Sequence, residues 1–288
     1  MLPNFFILGV PKAGTSSLYE YLAQHPEIYM SPVKEPRFFS YDRNNPEQKK
    51  SSLLRIKDLS GYEALFDGVN NEMAIGEASP GYLTSDFAAE KIYALLPQAK
   101  LIAILRNPID RAYSAYQMEV RAGKEARSVE EVLISDSIIV QRGKYYQGIK
   151  NYIDRFGKAS LHIILFEDLL NEPSSVIKGI FQHLGVDDTF SPDMTNRHNE
   201  GGLIRRSGFA NIYKFFKQYP RLKKKLKQVL PKWLRNRWTE KKLSSKERAK
   251  PLPEAVRRSL CEYYREDIES INREFGLDLS HWLKSKND

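Results

Sequence analysis

Cysteine and histidine are scarce in this 288-residue chain, which has one cysteine, Cys261, and five histidines. A single cysteine excludes an intrachain disulfide, and so few cysteine and histidine residues argue against a zinc site. Long hydrophobic runs are also missing, since no stretch approaches the roughly 20 apolar residues that cross a bilayer. The opening residues, 1–10, are too short for a signal peptide and run straight into a glycine-containing motif. These absences favour a reducing, cytoplasmic setting.

Positive charge is concentrated in one stretch near the C-terminus. The net charge is +9, yet residues 214–250 hold 15 Lys and Arg against two Glu, a local net of +13 that leaves −4 for the rest. Apolar residues recur near helical spacing in 212–238, which is typical of an amphipathic helix with a solvated basic face. The stretch could instead make peripheral contact with an acidic acceptor, an anionic membrane or a carrier protein. Nothing in it resembles a nucleic-acid-reading module, so no nucleic-acid partner is predicted.

Apolar runs of strand length alternate with helical patterns over the first 190 residues. Such continuous runs are expected for strands buried on both faces, and they lie at 5–8, 73–75, 101–105 and 161–166. Helical patterns lie at 16–24, 85–96, 110–121, 128–135 and 146–156. The alternation predicts an α/β fold, a parallel sheet flanked by helices. Beyond residue 190 the pattern is helical, so we expect one domain, 1–288, with residues 207–288 as a helical extension packed on it.

The segment Gly9-Val-Pro-Lys-Ala-Gly-Thr-Ser16 joins the first predicted strand to the first helix. Backbone N–H groups and a helix N-terminus at such a turn present partial positive charge to an anion. An ordinary turn of small residues is the alternative, but it needs neither a lysine nor three consecutive hydroxyl residues. The candidate phosphate ligands are Lys12, Ala13, Gly14, Thr15, Ser16 and Ser17.

The lysine of this loop is displaced from the usual nucleoside-triphosphate pattern. Thr15 stands where G-x-x-x-x-G-K-[ST] places its lysine, and Lys12 lies inside the loop. A nucleoside-triphosphate enzyme also needs a carboxylate for magnesium, often at a neighbouring strand end, where this chain has Arg106. The pattern therefore predicts a site for an anionic nucleotide without a metal.

A second strand end feeds a helix at Leu105-Arg-Asn-Pro-Ile-Asp-Arg-Ala-Tyr-Ser-Ala-Tyr116. Arg106 at the strand end and Ser114 two turns into the helix can face one ligand over the sheet edge. A guanidinium and a hydroxyl that converge suit a second phosphate. Taken alone, Arg106 is equally compatible with a structural ion pair.

Together, the two segments resemble the sulfotransferases that use 3'-phosphoadenosine 5'-phosphosulfate (PAPS). Residues 11–18 resemble their 5'-phosphosulfate loop, and residues 105–116 resemble their 3'-phosphate motif. The similarity is greater to the carbohydrate branch, with the heparan sulfate sulfotransferases and bacterial relatives, than to the phenol and steroid branch. This resemblance implies a P-loop-like parallel sheet, PAPS as the donor and no metal. By the same resemblance, a basic glycine loop at 196–207 would place Arg205 and Arg206 near the 3'-phosphate.

The resemblance also assigns the acceptor side. Glu35 precedes Phe38-Phe39 at the position where the heparan-type enzymes have their general base, and a carboxylate near Lys12 suits proton removal from an acceptor. Glu35 could instead be an exposed loop residue or a partner for Arg37. Residues 76–82 resemble a segment that lines the acceptor cleft, but Ala78 replaces a functional lysine, with Lys34 and Arg37 the nearest substitutes. Glu77 could simply orient its neighbours, and Tyr145 is more typical of a core residue. The candidate acceptor-side residues are Lys34, Arg37, Phe38, Glu77, Tyr82 and Tyr145.

The sequence thus predicts in-line sulfuryl transfer to a hydroxyl or amine of a small molecule or carbohydrate. In this hypothesis Glu35 is the general base and Lys12 stabilises the leaving phosphate. A P-loop kinase is the alternative enzyme, and the missing lysine after Gly14 argues against it. A nucleotide-binding module without catalysis is the third alternative.

Overall fold

The computed structural model describes residues 1–40, 56, 58–195 and 251–284, with the backbone of 203–204 and 246–247. Its main sheet has five strands: β1 Phe5–Gly9, β2 Ile28–Met30, β3 Ala74–Ala78, β4 Lys100–Leu105 and β5 Leu161–Leu165. The strand order is β2-β3-β1-β4-β5, and every neighbouring pair is parallel. The predicted α/β class with a parallel sheet flanked by helices is confirmed.

Ten α-helices lie within the described residues. They are α1 Thr15–Leu22, α2 Leu59–Glu63, α3 Ala88–Leu95, α4 Pro108–Arg121, α5 Val129–Val132, α6 Ile138–Gln141, α7 Tyr146–Phe156, α8 Phe166–Asn171, α9 Pro173–Leu184 and α10 Glu254–Phe275. Short 3₁₀ turns occupy Phe38–Ser40, Ala64–Phe66, Lys158–Ser160 and Ser280–Leu283. Within these residues, no helix is both long and apolar enough to span a membrane.

Hydrophobic burial explains why the continuous apolar runs became strands. All five residues of β1 are buried, and so are five of the six residues of β4. A strand in the middle of a parallel sheet is covered on both faces, so alternation with polar residues disappears. β1 and β4 lie at the centre of the sheet, and the core is built around them.

Three details of the predicted pattern were wrong. The short strand β2 was not predicted, because its three residues give no periodicity to read. Phe166, taken as the end of a strand, begins helix α8. The part after residue 190, expected to be helical, also contains a two-stranded antiparallel ladder in which Leu203 pairs with Glu247 and Ile204 with Lys246. The basic stretch 214–250 otherwise lies outside the described residues.

The long helix α10 packs against α4 and the segments that follow it. Val256, Leu260, Ile268 and Ile271 recur at helical spacing and are buried, while Tyr263 and Phe275 are half-buried. Arg257 donates to Asp110 of α4 at 2.7 Å, and the Tyr264 hydroxyl donates to the carbonyl of Val140 at 2.7 Å. These contacts fix the C-terminal helix next to the carboxyl end of β4.

Candidate active site

The carboxyl ends of β1, β3 and β4 meet at one edge of the sheet. β1 lies between β3 and β4, so the segments that leave these strands are neighbours. In open parallel sheets, ligands bind at such an edge where the strand order reverses. The predicted phosphate loop, the predicted acceptor segment and Arg106 all leave the sheet here.

The loop after β1 is held close to its neighbours on both sides. Val10 N–H donates to Ile104 O at 2.7 Å, and a Cβ at Gly9 would lie 2.8 Å from the carbonyl oxygen of Pro80. Lys12 and Gly14 both adopt positive φ, 75° and 85°. A lysine in this region of φ is uncommon, which indicates that its surroundings fix the loop.

The loop ends at the N-terminus of α1. Gly14 is the N-cap and supplies no side-chain cap, so the first turn faces the loop without an internal carboxylate or hydroxyl cap. The first N–H groups of a helix lack intrahelical acceptors and attract anions. Ala13 and Thr15 are buried, while Ser16 and Ser17 are half-buried next to them.

Arg106 clamps the phosphate loop from β4. Its guanidinium Nη1 donates to Lys12 O at 2.7 Å, and its Cζ lies 4.7 Å from the centre of the Phe166 ring. The same ring sits 3.1 Å from the position a Cβ would take at Gly14. Burial lowers the pKa of Arg106 below its usual value overall, and the charge of Arg111 adds to this, although Asp110 and Glu167 act in the opposite direction. Arg106 therefore holds the loop after β1 through its hydrogen bond to Lys12 O. Its contact with a 3'-phosphate stays a prediction.

The Lys12 ammonium lies near the C-terminal half of α4. Its Nζ lies 3.7 Å from the Met118 sulfur. Burial lowers the pKa of Lys12, and the positive charges of Arg121 and Arg106 lower it further. Three cations thus converge on one half-buried place, which favours an anionic ligand there. Ser114, half-buried on α4, lies one turn before Met118 on the same helix.

A chain of hydrogen bonds links the C-terminal helix to this loop. Asp267 of α10 accepts from the backbone N–H of Tyr145 at 2.8 Å, and the Tyr145 hydroxyl donates to Arg106 O at 2.9 Å. Burial raises the pKa of Asp267 to about 6, although its bonds to the N–H groups of Tyr145 and Tyr146 lower it. The neighbouring Asn107 caps α4 and donates to Trp282 O at 3.2 Å.

Glu35 lies in the loop that follows β2, at the same edge. Its backbone N–H donates to Ala78 O at 2.9 Å, and its carboxylate accepts from Lys34 at 3.3 Å and from Arg37 at 2.5 Å. Burial raises the pKa of Glu35, but the hydrogen bond and charge of Arg37 and the charge of Lys34 hold it below its usual value overall. Glu35 is therefore ionised at neutral pH and partnered by two cations.

Glu77 lies at the end of β3 and is fully buried. It accepts hydrogen bonds from the hydroxyls of Ser79 at 2.7 Å, Tyr82 at 2.8 Å and Tyr62 at 2.9 Å. Burial raises its pKa to about 7, against the lowering effect of these bonds. Such a buried carboxylate is stable only because its oxygens are satisfied.

The predicted acceptor-side residues divide into two groups. Lys34, Arg37 and Phe38 lie in the Glu35 loop with side chains that reach solvent. Glu77, Tyr82 and Tyr145 are buried, so their side chains are not exposed to an acceptor in this structure. Arg205 and Arg206 lie outside the described residues. Sequence reasoning missed Tyr62, Ser79, Phe166 and Asp267, because their contacts join distant segments without any local motif.

The profile of the Sulfotransferase family matches residues 3–191, about two thirds of the chain. The chain belongs to the sulfotransferase family. A crystal structure of a sulfotransferase from Alicyclobacillus acidocaldarius is 30% identical, has a TM-score of 0.74 and covers 99% of this chain and 100% of that one. This likeness extends beyond residue 191 and includes the C-terminal part.

Two relatives carry names of carbohydrate-modifying enzymes. Mouse carbohydrate sulfotransferase 15 is 32% identical over 169 residues, 45% of this chain and 29% of that protein. Human bifunctional heparan sulfate N-deacetylase/N-sulfotransferase 3 is 29% identical over 207 residues, 64% of this chain and 22% of that protein. The chain thus spans less than a third of the length of either relative. The predicted resemblance to this branch and its bacterial relatives is confirmed.

Proposed function

We propose that this sulfotransferase moves the sulfuryl group of PAPS to a hydroxyl or amine of a small-molecule or carbohydrate acceptor. One observation carries the proposal: the Lys12 loop follows β1 and the Glu35 loop follows β2, and both strands pair with β3 and end at the same edge of the sheet. Ile7 of β1 pairs with Ala78 of β3, and Ala78 O accepts from Glu35 N–H. The loops that carry the candidate base and the candidate phosphate-binding cation are thereby both joined to the carboxyl end of β3.

The donor side fits a phosphosulfate. The uncapped first turn of α1, the half-buried Lys12 ammonium and the nearby charges of Arg106 and Arg121 provide fixed positive potential. Fixed donors stabilise charge that develops on a leaving oxygen better than water does, because they need not reorganise. Lys12 is the residue that we assign to this oxygen.

The chemical step needs a proton acceptor on the other side. The acceptor oxygen or nitrogen forms a bond to sulfur while the bond from sulfur to the 5'-phosphate oxygen breaks. Adenosine 3',5'-bisphosphate leaves with the electron pair, and Glu35 takes the acceptor proton. The ionised state of Glu35 suits this role, since a base must be unprotonated before it acts.

The acceptor side suggests a carbohydrate among the possible acceptors. The names of the mouse and human relatives support that class. Lys34 and Arg37 flank Glu35 and supply cations at the place where Ala78 lacks one. Either cation could bind an anionic or polar group next to the reacting atom.

Two substitutions distinguish the role of Glu35 as the base from the role of Lys12 as a phosphate ligand. General-base catalysis typically contributes about 10²–10⁴-fold, so Glu35→Gln should lower kcat by roughly that factor with unchanged bisphosphate affinity. Lys12→Ala should lower kcat and also weaken the bisphosphate. Activity is followed with radiolabelled PAPS and a panel of oligosaccharides and simple phenols, and affinity by calorimetry.

The matched control is Glu269→Gln, which removes an exposed carboxylate on α10. It should leave both kcat and bisphosphate affinity at wild-type values. A kcat for Glu35→Gln within about threefold of wild type, far short of the expected range, would remove Glu35 as the base.

A further inference from the structure

The buried carboxylate of Glu77 dictates the direction of the hydrogen bonds around it. The hydroxyls of Ser79, Tyr82 and Tyr62 each donate to a carboxylate oxygen of Glu77, and a hydroxyl has a single hydrogen to give. Once that hydrogen is committed, the oxygen of each hydroxyl is left as an acceptor. A hydroxyl can ordinarily donate or accept, but these three face their other neighbours as acceptors because Glu77 takes their hydrogens.

Two of these acceptors hold the loop that carries Glu35. Arg37 N–H donates to Ser79 Oγ at 3.1 Å, and Phe39 N–H donates to the Tyr82 hydroxyl at 3.2 Å. Together with the bond from Glu35 N–H to Ala78 O, the N–H groups of alternate residues 35, 37 and 39 are tied to the segment 78–82. The third hydroxyl residue, Tyr62, stacks on Phe38 with ring centres 4.5 Å apart.

The loop needs these ties because its backbone is unfavourable by itself. Glu35 and Arg37 have positive φ, 59° and 57°, although neither is a glycine. Such conformations persist when the surrounding structure over-determines them. The hydrogen bonds of Arg37 and Phe39 supply that constraint on the C-terminal side of Glu35.

We propose that Glu77 is a positioning residue that acts on the reaction through Ser79 and Tyr82, which fix the Glu35 loop. This inference rests on the proposed role of Glu35 as the base. Glu77 itself is fully buried and reaches neither substrate. Its contribution is the fixed orientation of the acceptor-side loop relative to the sheet.

Amide hydrogen exchange tests the physical link without an acceptor. Ser79→Ala should speed exchange at the Arg37 amide, and Tyr82→Phe at the Phe39 amide, by roughly fivefold, as expected for one lost hydrogen bond. The matched control is Tyr152→Phe, which removes another buried hydroxyl that donates to Tyr82 O at 3.2 Å but does not touch the loop. Unchanged exchange at 37 and 39 in the first two variants, or equal acceleration in the control, would overturn the proposal.

A double-mutant cycle tests the catalytic link. Misplacement of a reacting group by about an ångström can cost 10²-fold, so Glu77→Gln should lower kcat by roughly 10- to 100-fold while bisphosphate affinity stays within about threefold. In the Glu35→Gln background the same substitution should lower kcat by less than about threefold, because the group it positions is already gone.

The outcomes distinguish the positioning role of Glu77 from the role of Glu35 as the base. A full additional loss from Glu77→Gln in the Glu35→Gln background would overturn the positioning role while leaving Glu35 as the base. A normal kcat for Glu35→Gln alone would instead contradict the proposed function. Ser79→Ala, which leaves Glu77 with both tyrosine donors, should show the same non-additivity with a smaller loss, so the inference stays testable if Glu77→Gln fails to fold.

Discussion

Substitution of Gly14 should damage the donor site more than it damages the fold. Gly14 has φ of 85°, and a left-handed conformation costs an L-residue about 1–2 kcal/mol. For a chain of this size each 1 kcal/mol lowers Tm by about 2–4 °C. Gly14→Ala also places a Cβ 3.1 Å from two carbons of the Phe166 ring, so that ring must shift.

The displaced ring supports the Arg106 guanidinium, which holds Lys12 O. We therefore expect the affinity of Gly14→Ala for adenosine 3',5'-bisphosphate to fall at least about tenfold, or 1.4 kcal/mol, in titration calorimetry. Gly276→Ala is the matched control, because its φ of 73° carries a similar backbone cost and no atom lies within 4 Å of the new Cβ. It should lower Tm alone. Equal bisphosphate affinities in the two variants would refute the role of the Phe166–Arg106 contact.

Three further predictions concern charged groups around the site. Arg106→Ala should raise the donor KM and weaken the bisphosphate at least about tenfold, from the loss of a half-buried charged donor; a change confined to the acceptor KM would contradict this. Asp267→Ala should also weaken the bisphosphate, through Tyr145 and Arg106, whereas Asp267→Asn, which keeps an acceptor for the Tyr145 N–H, should restore it. Burial raises the pKa of Glu77 from 4.5 to about 7. The contribution of Glu77 to the free energy of unfolding is therefore fully present below pH 4.5 and is lost as the pH rises through 7. The groups that face Glu77 are Tyr62, Ser79 and Tyr82, with Tyr152 beyond them. Between pH 4.5 and 8, the free energy of unfolding of Glu77→Gln, measured with denaturant, should rise relative to that of wild type by on the order of 3 kcal/mol. A flat difference across this range would show that Glu77 does not titrate there.

The sequence was informative where local chemistry decides the structure. The apolar runs of β1, β3, β4 and β5 predicted parallel strands, because a strand that is covered on both faces needs no polar face. The glycines and hydroxyls of 9–17 predicted a turn between β1 and α1, which the structure shows, and the binding of a phosphate there stays a prediction. Both features depend on residues that are adjacent in the chain.

The sequence was silent where distant segments meet. Glu77 looked like a cleft residue, since nothing in Gly76-Glu-Ala-Ser79 shows that Tyr62 will cover it. The sequence left two equal alternatives for Arg106, a phosphate ligand or a structural ion-pair partner. The hydrogen bond that it makes to Lys12 O depends on the pairing of β1 with β4. The hydrogen bond from Tyr145 N–H to Asp267 joins residues that are 122 positions apart, and it depends on the packing of α10.

The most direct test of the account is a comparison of two nucleotides in thermal unfolding. A ligand that binds the native state at 100 times its Kd stabilises it by about 2.7 kcal/mol, so saturating adenosine 3',5'-bisphosphate should raise Tm by several degrees. ATP with magnesium should raise it far less, because the loop lacks the lysine after Gly14 and β4 is followed by Arg106 rather than by a carboxylate. An equal or larger shift with ATP and magnesium would contradict a site built for PAPS.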